Sequence, residues 1–314
     1  MNILCMTPIE HLDGAVDLIN KCGEVTYKPN IKVSELKNVL IENEITHIFT
    51  NPNKQNFILN HSVLTGTNVE VINTCSTGLN HIDLEYCKIR DIEVWSLKKD
   101  YELINDLPST SELAFGLMMS LLRFIPTSFH SVKDGNWDYE PYVGHQIKGK
   151  TIGVIGYGRL GKIMCRLFDG WEVDILVTDP YARITDENGV SLDELLDKSD
   201  IVFLHTHVTE ETKDMVDDEF IQKMKDGSFL INTARGELVD EDAIIKSIES
   251  GHLKGYGTDV IRDEFGDIEN SKLVEFSINP NNNVVITPHI GGMTIEGQTK
   301  AYLWAINKFK EENV

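Results

Sequence analysis

Thr151-Ile-Gly-Val-Ile-Gly-Tyr-Gly-Arg-Leu-Gly161 is a short β-type apolar run that empties straight into Gly156-x-Gly158-x-x-Gly161. The amphipathic segment Lys162 to Phe168 and a second apolar run, Val173 to Val177, follow it, and together they open a dinucleotide-binding βαβ unit. Each glycine has its own job. Gly156 permits the tight turn off the strand, Gly158 lets a pyrophosphate approach the backbone, and Gly161 lets the helix lie close to the sheet. The phosphates then meet free N–H groups at the positive end of the helix. Asp179 ends the second strand, 18 residues beyond Gly161. A carboxylate there accepts hydrogen bonds from an adenosine ribose and repels a 2′-phosphate, which predicts NAD rather than NADP.

Working outward, 314 residues exceed what one core usually serves, so two domains are expected. The balance of 29 basic against 50 acidic residues gives a formal charge of −21, which repels nucleic acid and anionic membranes. An anionic substrate would need local basic residues to overcome that field. Five scattered cysteines without a C-x-x-C pattern argue against a disulfide framework and a zinc site, and suit a reducing cytosol. The first residues lack a basic run and meet Glu10 and Asp13 too early for a signal peptide. Leu113 to Leu122, an apolar stretch without charge, is about half the roughly 20 residues that span a bilayer and predicts a buried helix.

Strand and helix patterns alternate from Asn2 to Leu97 and resume from Thr151 to Thr287, which predicts parallel sheets with crossover helices in an α/β fold. Ser109 to Val132 reads as one long helical segment that Pro126 kinks or breaks. Ser191-Leu-Asp-Glu194 is a capping box, and Thr294 to Glu312 is a terminal helix. A boundary is expected near residue 100.

Three clusters carry chemistry: Asn232-Thr-Ala-Arg235-Gly, Asp259-Val-Ile-Arg-Asp-Glu264 and Thr287-Pro-His289-Ile-Gly-Gly292. Each is expected to follow a strand, and in an open α/β sheet ligands bind beyond the carboxyl ends of strands, so all three should face one crevice. An arginine, a carboxylate and a histidine supply an anion clamp, a proton donor and a group that tunes the donor, as a 2-keto/2-hydroxy acid reaction requires. His205 and His207 are too poorly surrounded by other ligand types to suggest a metal, and none is expected. Asn51-Pro-Asn53-Lys54 follows a strand of the first domain. Lys54 is either a contact for a second anionic group of the substrate or a solvated loop lysine.

With these motifs the chain resembles the D-isomer-specific 2-hydroxyacid dehydrogenases over nearly its whole length. Ser76-Thr-Gly-Leu-Asn-His-Ile-Asp83 looks like the family's substrate loop, Ser111-Glu-Leu-Ala114 like its helix into the cofactor domain, and Gly135-Asn-Trp137 like the approach to the glycine loop. The resemblance implies two Rossmann-like doubly wound parallel-sheet domains. The substrate domain is discontinuous, 1–100 completed by 290–314, and the NAD-binding domain is 101–289. It implies that Arg235 holds the substrate carboxylate and that His289 exchanges the proton. Glu264, with Asp263 the adjacent alternative, would hydrogen-bond the imidazole and stabilise its charged form. Cofactor contacts are implied at Gly156, Gly158, Arg159, Leu160, Gly161, Asp179, His205, Thr206, Thr212, Thr233, Ala234, Arg235, Asp259, His289 and Gly291. Substrate contacts are implied at Asn53, Lys54, Ser76, Thr77 and Gly78.

The resemblance further implies a homodimer formed through the cofactor domain, with the apolar 113–122 helix compatible with that interface. His207 stands where the family commonly has proline. The substrate loop tilts the substrate toward 3-phosphoglycerate or hydroxypyruvate/glyoxylate. The rival readings are an NAD(H)-sensing binding protein of corepressor type and a formate dehydrogenase-like enzyme.

Overall fold

The computed structural model describes residues 1–52, 57–184, 188–264, 266 and 268–312. Two compact units share the chain: Met1–Leu107 with Gly292–Val314, and Pro108–Gly291. The first unit holds β1 (Asn2–Cys5), α1 (Ala15–Ile19), β2 (Glu24–Tyr27), α2 (Val33–Glu42), β3 (His47–Thr50), α3 (His61–Leu64), β4 (Val71–Thr74), α4 (Leu84–Ile89), β5 (Glu93–Ser96) and α5 (Tyr101–Asn105). The second runs through α6 (Ser109–Leu122), α7 (Ile125–Lys133), β6 (Thr151–Ile155), α8 (Arg159–Leu167), β7 (Asp174–Thr178), α9 (Leu192–Lys198), β8 (Ile201–Leu204), α10 (Asp218–Lys223), β9 (Ser228–Asn232), α11 (Glu241–Ser250), β10 (Leu253–Thr258), α12 (Lys272–Ser277) and β11 (Val284–Ile286). Helix α13 (Ile295–Glu312) returns to the first unit.

Both sheets are parallel, as the alternation predicts. The first has the order β2-β1-β3-β4-β5 and the second β11-β10-β9-β8-β6-β7. In each, the strand order reverses beside the first strand, which is where open α/β sheets leave a ligand crevice. Strands β3, β4, β8 and β9 are buried at every position, as in a sheet covered on both faces.

Several expectations change in detail. The segment 109–132 breaks into two helices, as expected of Pro126, but at Arg123 and Phe124 rather than at the proline itself. Phe124 turns left-handed at φ 52°, and Pro126 sits in the first turn of α7, where its missing N–H costs nothing. The apolar face of α6 is spent inside the unit: Ala114, Leu117, Met118, Leu121 and Leu122 pack on Ile152, Val154, Phe203 and Ile231. Helix α1 begins only at Ala15, because Gly14 is left-handed at φ 73°. Strand β10, expected only as the strand ahead of Asp259, runs through Gly255 and Gly257, which contradict strand propensity. They are there for close packing. A Cβ on Gly255 would lie 2.6 Å from the Asn283 side chain, and one on Gly257 would lie 3.2 Å from Leu121. At Ser191 the N-cap half of the capping box forms, with the hydroxyl accepting from the Glu194 N–H at 3.2 Å, while the Glu194 carboxylate pairs with Lys198 at 2.6 Å. No single helix among the described residues is long and apolar enough to cross a membrane.

Helix α13 completes the core of the first unit. Tyr302, Ala305, Ile306 and Phe309 are buried against Ile3, Cys5 and Phe49, and the Asn73 side chain donates to Ala305 O at 2.7 Å. Trp304 donates to Asp100 at 2.5 Å, so it serves the fold of this unit. Phe309 meets Phe49 and His47 edge-on at centroid distances of 6.1 and 5.8 Å. Phe309→Ala should cost roughly 3–5 kcal/mol by cavity formation, read as a lowered denaturant midpoint at unchanged slope. A midpoint equal to wild type would show that α13 does not complete this core.

Candidate active site

Strand β6 delivers Gly156 at φ +95°, a conformation few other residues tolerate. A Cβ on Gly161 would lie 2.0 Å from Gly156 O, so α8 approaches the turn as closely as the backbone allows. Gly158 opens α8, and a Cβ there would meet nothing within 4 Å, leaving space above the helix N-terminus. Leu160 O accepts from Ser111 Oγ at 3.1 Å, which ties α6 to this helix. Burial lowers the Arg159 guanidinium below its ordinary range.

Asp179 closes one side of this cradle. Its carboxylate accepts from the N–H groups of Tyr157 at 2.7 Å, Tyr181 at 2.9 Å and Ala182 at 3.0 Å. Partial burial opposes ionisation, but these bonds and the charge of Lys162 win, and the carboxyl stays below the usual range. The loop after β8 forms the other side. His207 carries no proline ring to stiffen it, and Thr212 does that work by donating to His207 O at 2.6 Å and accepting from Thr209 N at 2.8 Å.

The remaining wall is polar and lacks partners among the described residues: both His205 ring nitrogens, Thr206 Oγ1 and Thr233 Oγ1 are buried without a hydrogen bond. Buried groups of this kind call for a polar ligand or water. Together with the open helix N-terminus and the ribose-type carboxylate, they fit a dinucleotide.

The second half of the site is assembled at the ends of neighbouring strands β9, β10 and β11. Asn232 staples its own turn by accepting from Ala234 N at 3.0 Å and donating to Arg235 O at 2.9 Å. A Cβ on Gly236 would lie 2.1 Å from the Ile261 carbonyl carbon, so the arginine turn is pressed onto the 259–264 turn. Asp259 is 2% exposed, and its carboxylate accepts from Thr287 Oγ1 at 2.5 Å, Ile290 N at 2.8 Å and Gly291 N at 2.7 Å. Burial outweighs these bonds and pushes its carboxyl above the usual range.

Between those contacts the chain makes a left-handed residue, His289, at φ 52°. Such strain at a non-glycine persists only where its surroundings over-determine it. The imidazole Nδ1 lies 2.7 Å from Glu264 Oε2. Glu264, not Asp263, is therefore the partner of Nδ1. Arg235 is half-buried, with Nη1 donating to Ala234 O at 2.6 Å.

In the first unit a separate chain of bonds shapes the loop after β4. His81 Nε2 lies 3.1 Å from Thr74 Oγ1, which lies 2.9 Å from Ser76 Oγ, which donates to Gly78 O at 2.8 Å. This network orders the segment that carries Thr77 and Gly78. Asn53 and Lys54 lie outside the described residues. The functional features that sequence reading missed are the staple made by Asn232, the three-bond lock made by Asp259, and the Tyr181 hydroxyl. The first two sit inside quoted motifs. The last was signalled only by standing two residues beyond Asp179.

Burial, and then the charge of Arg159, lower the His205 imidazole to about 4, so it is neutral at pH 7. A depressed histidine favours folding fully above its unfolded value near 6.5, and that contribution is lost as pH falls toward 4. Wild type should lose on the order of 2 kcal/mol from this group between pH 7 and pH 5. His205→Phe, which keeps a ring to stack on Phe203 at 6.3 Å, should flatten that part of the acid slope in urea unfolding. Parallel slopes in the two proteins would refute the assignment.

Comparison with known proteins agrees with this geometry. Residues 115–291 match the model of the D-isomer specific 2-hydroxyacid dehydrogenase NAD binding domain. A hydroxypyruvate reductase of Thermotoga maritima is 35% identical over 250 residues, covering 78% of this chain and 78% of that protein. A D-3-phosphoglycerate dehydrogenase of Bacillus subtilis is 33% identical over 237 residues, covering 74% of this chain but only 43% of that protein. The crystal structure of D-lactate dehydrogenase from Aquifex aeolicus complexed with NAD and lactic acid superposes with a TM-score of 0.79 at 27% identity, covering 99% of this chain and 95% of that one. The chain therefore belongs to the D-isomer specific 2-hydroxyacid dehydrogenase family, and its residues 115–291 are the NAD-binding domain of that family.

Proposed function

We propose that this member of the family reduces a small 2-keto acid, hydroxypyruvate or glyoxylate, to the D-2-hydroxy acid with NADH. The observation that carries the reaction is the His289–Glu264 pair at 2.7 Å, on a turn that Asp259 fixes. NADH, when bound, supplies the hydride that goes to C2. Glu264 holds Nδ1, so the imidazolium presents its Nε2 proton to the C2 oxygen, and the resulting alcohol leaves a neutral imidazole. Oxidation of the hydroxy acid uses the same atoms in reverse, with Nε2 accepting the proton. The planar guanidinium of Arg235 grips the substrate carboxylate and polarises the carbonyl.

Support for the smaller substrates comes from similarity: the hydroxypyruvate reductase is 35% identical over 250 residues, against 33% over 237 for the phosphoglycerate dehydrogenase. A panel of 2-keto acids with NADH and with NADPH tests the reading. Highest kcat/KM with 3-phosphohydroxypyruvate would overturn the substrate choice, and NADH binding without turnover on any keto acid would make the chain a sensor. Arg235→Gln should lose most activity while NADH still binds, and Arg235→Lys should rescue poorly because an ammonium cannot make a two-point grip. His289→Ala should lose roughly 10²–10⁴-fold. Near-wild-type turnover in either variant would reject its assigned role.

We also infer a homodimer. Its support is the apolar strip on α7, where Ile125, Phe129 and Val132 are 49, 61 and 50% exposed, and the following Trp137, Tyr139 and Val143 are exposed as well. Light scattering should give twice the chain mass, and Phe129→Asp should shift it toward one. A wild-type monomer would refute the dimer. A reducing, cytoplasmic setting is supported by five cysteines that are all free thiols.

A further inference from the structure

Two loops flank the glycine turn of the NAD-binding domain. The loop after β8 rests directly on it: a Cβ on Gly156 would lie 2.6 Å from His205 O and 3.1 Å from Thr206 Cγ2. The loop after β7 grips it from the opposite side, through Asp179 and the Tyr157 N–H at 2.7 Å. Strand β6 lies between β7 and β8 in the sheet, so these loops bound a slot with the glycine turn as its floor. In a doubly wound fold that slot, with its terminal carboxylate, takes the adenosine end of the dinucleotide.

One side-chain bond crosses from wall to wall. The Tyr181 hydroxyl donates to Glu211 Oε2 at 2.5 Å. Tyr181 is anchored at its root, because its own N–H bonds Asp179. Glu211 is anchored too, since it sits between Glu210 and Thr212 in the threonine-stapled loop. Both side chains are exposed, so the bond adds little to stability. What it does is fix a second negative charge at the mouth of the slot. Glu211 first, and Asp179 as well, hold the Tyr181 phenol above its ordinary range, so both acids bear on the same hydroxyl.

We propose that Glu211, oriented by the Tyr181 hydroxyl, is a second carboxylate set against the 2′-phosphate of NADPH, so that the preference for NAD rests on a pair of acids rather than on Asp179 alone. The inference rests on reading this slot as the adenosine site. NADH has only a neutral 2′-hydroxyl there and is indifferent to the charge of Glu211. A 2′-phosphate meets repulsion from both acids, of a size that changes affinity roughly threefold to tenfold per carboxylate in a solvated setting.

The test is equilibrium titration of NADH and NADPH by nucleotide fluorescence, with wild type, Glu211→Gln, Tyr181→Phe, Asp179→Ala and the Asp179→Ala/Glu211→Gln double variant. Glu211→Gln should tighten NADPH roughly threefold to tenfold and leave the NADH Kd within about twofold. The gain should shrink at high salt, where the repulsion is screened. Tyr181→Phe should move NADPH affinity the same way by a smaller factor, because the charge remains but is no longer held. The double variant should discriminate less than either single one. An unchanged NADPH/NADH ratio in Glu211→Gln would overturn the proposal, and so would equal weakening of both nucleotides, which marks a purely structural clasp. Wild type that binds neither nucleotide would overturn it together with the adenosine-site reading on which it rests.

Discussion

A carboxylate buried within the NAD-binding domain, that of Asp259, is the contact on which the reactive geometry depends. Withdrawing a charge from water costs several kcal/mol unless it is met by donors. Here the donors are a threonine hydroxyl and two backbone N–H groups, all from the five residues 287–291. The energy that would otherwise be lost is recovered only when that segment adopts one conformation. That conformation includes the left-handed His289. Asp259 aims the histidine from both ends, its carbonyl accepting the His289 N–H at 3.0 Å while its carboxylate holds the residues on either side, and Glu264 completes the aim from the far end of the same 259–264 turn.

The same logic recurs around the crevice. Asn232 uses both ends of its amide on the Arg235 turn, and Gly236 exists because a Cβ would collide with the backbone of Ile261. Asp179 folds the glycine loop through Tyr157 before it can meet any ribose. Each polar group therefore has a structural task in the empty fold, and the atoms left over, on His205, Thr206 and Thr233, line the cofactor wall. Preorganisation of this type lets binding energy go into selecting the ligand rather than into ordering the protein.

Electrostatics sets a second constraint. With a formal charge of −21 the chain repels its own anionic substrate and cofactor at long range. Attraction must be local, and on the proposed reading the N-terminus of α8 and the guanidinium of Arg235 would supply it at short distance. An excess of acid is then usable as a filter, since on the proposed reading a nucleotide carrying one more phosphate would meet the carboxylates of Asp179 and Glu211.

The strand-glycine-helix pattern at 151–161, the alternation of elements and the three motifs after strands were legible in the residues, because each depends on local periodicity or on a backbone conformation that few residues permit. The kinds of side chain at the site followed for the same reason. What only the tertiary structure decided are matters of long-range contact. Strand β10 forms against its own propensity, since its glycines make room for Asn283 and Leu121. Helix α6 turns its apolar face inward, while the exposed strip falls on α7 beyond a left-handed Phe124. Glu264 rather than Asp263 meets the histidine, and Tyr181 reaches Glu211 thirty residues away. Local sequence states which groups are available; only packing between distant segments determines which of them meet.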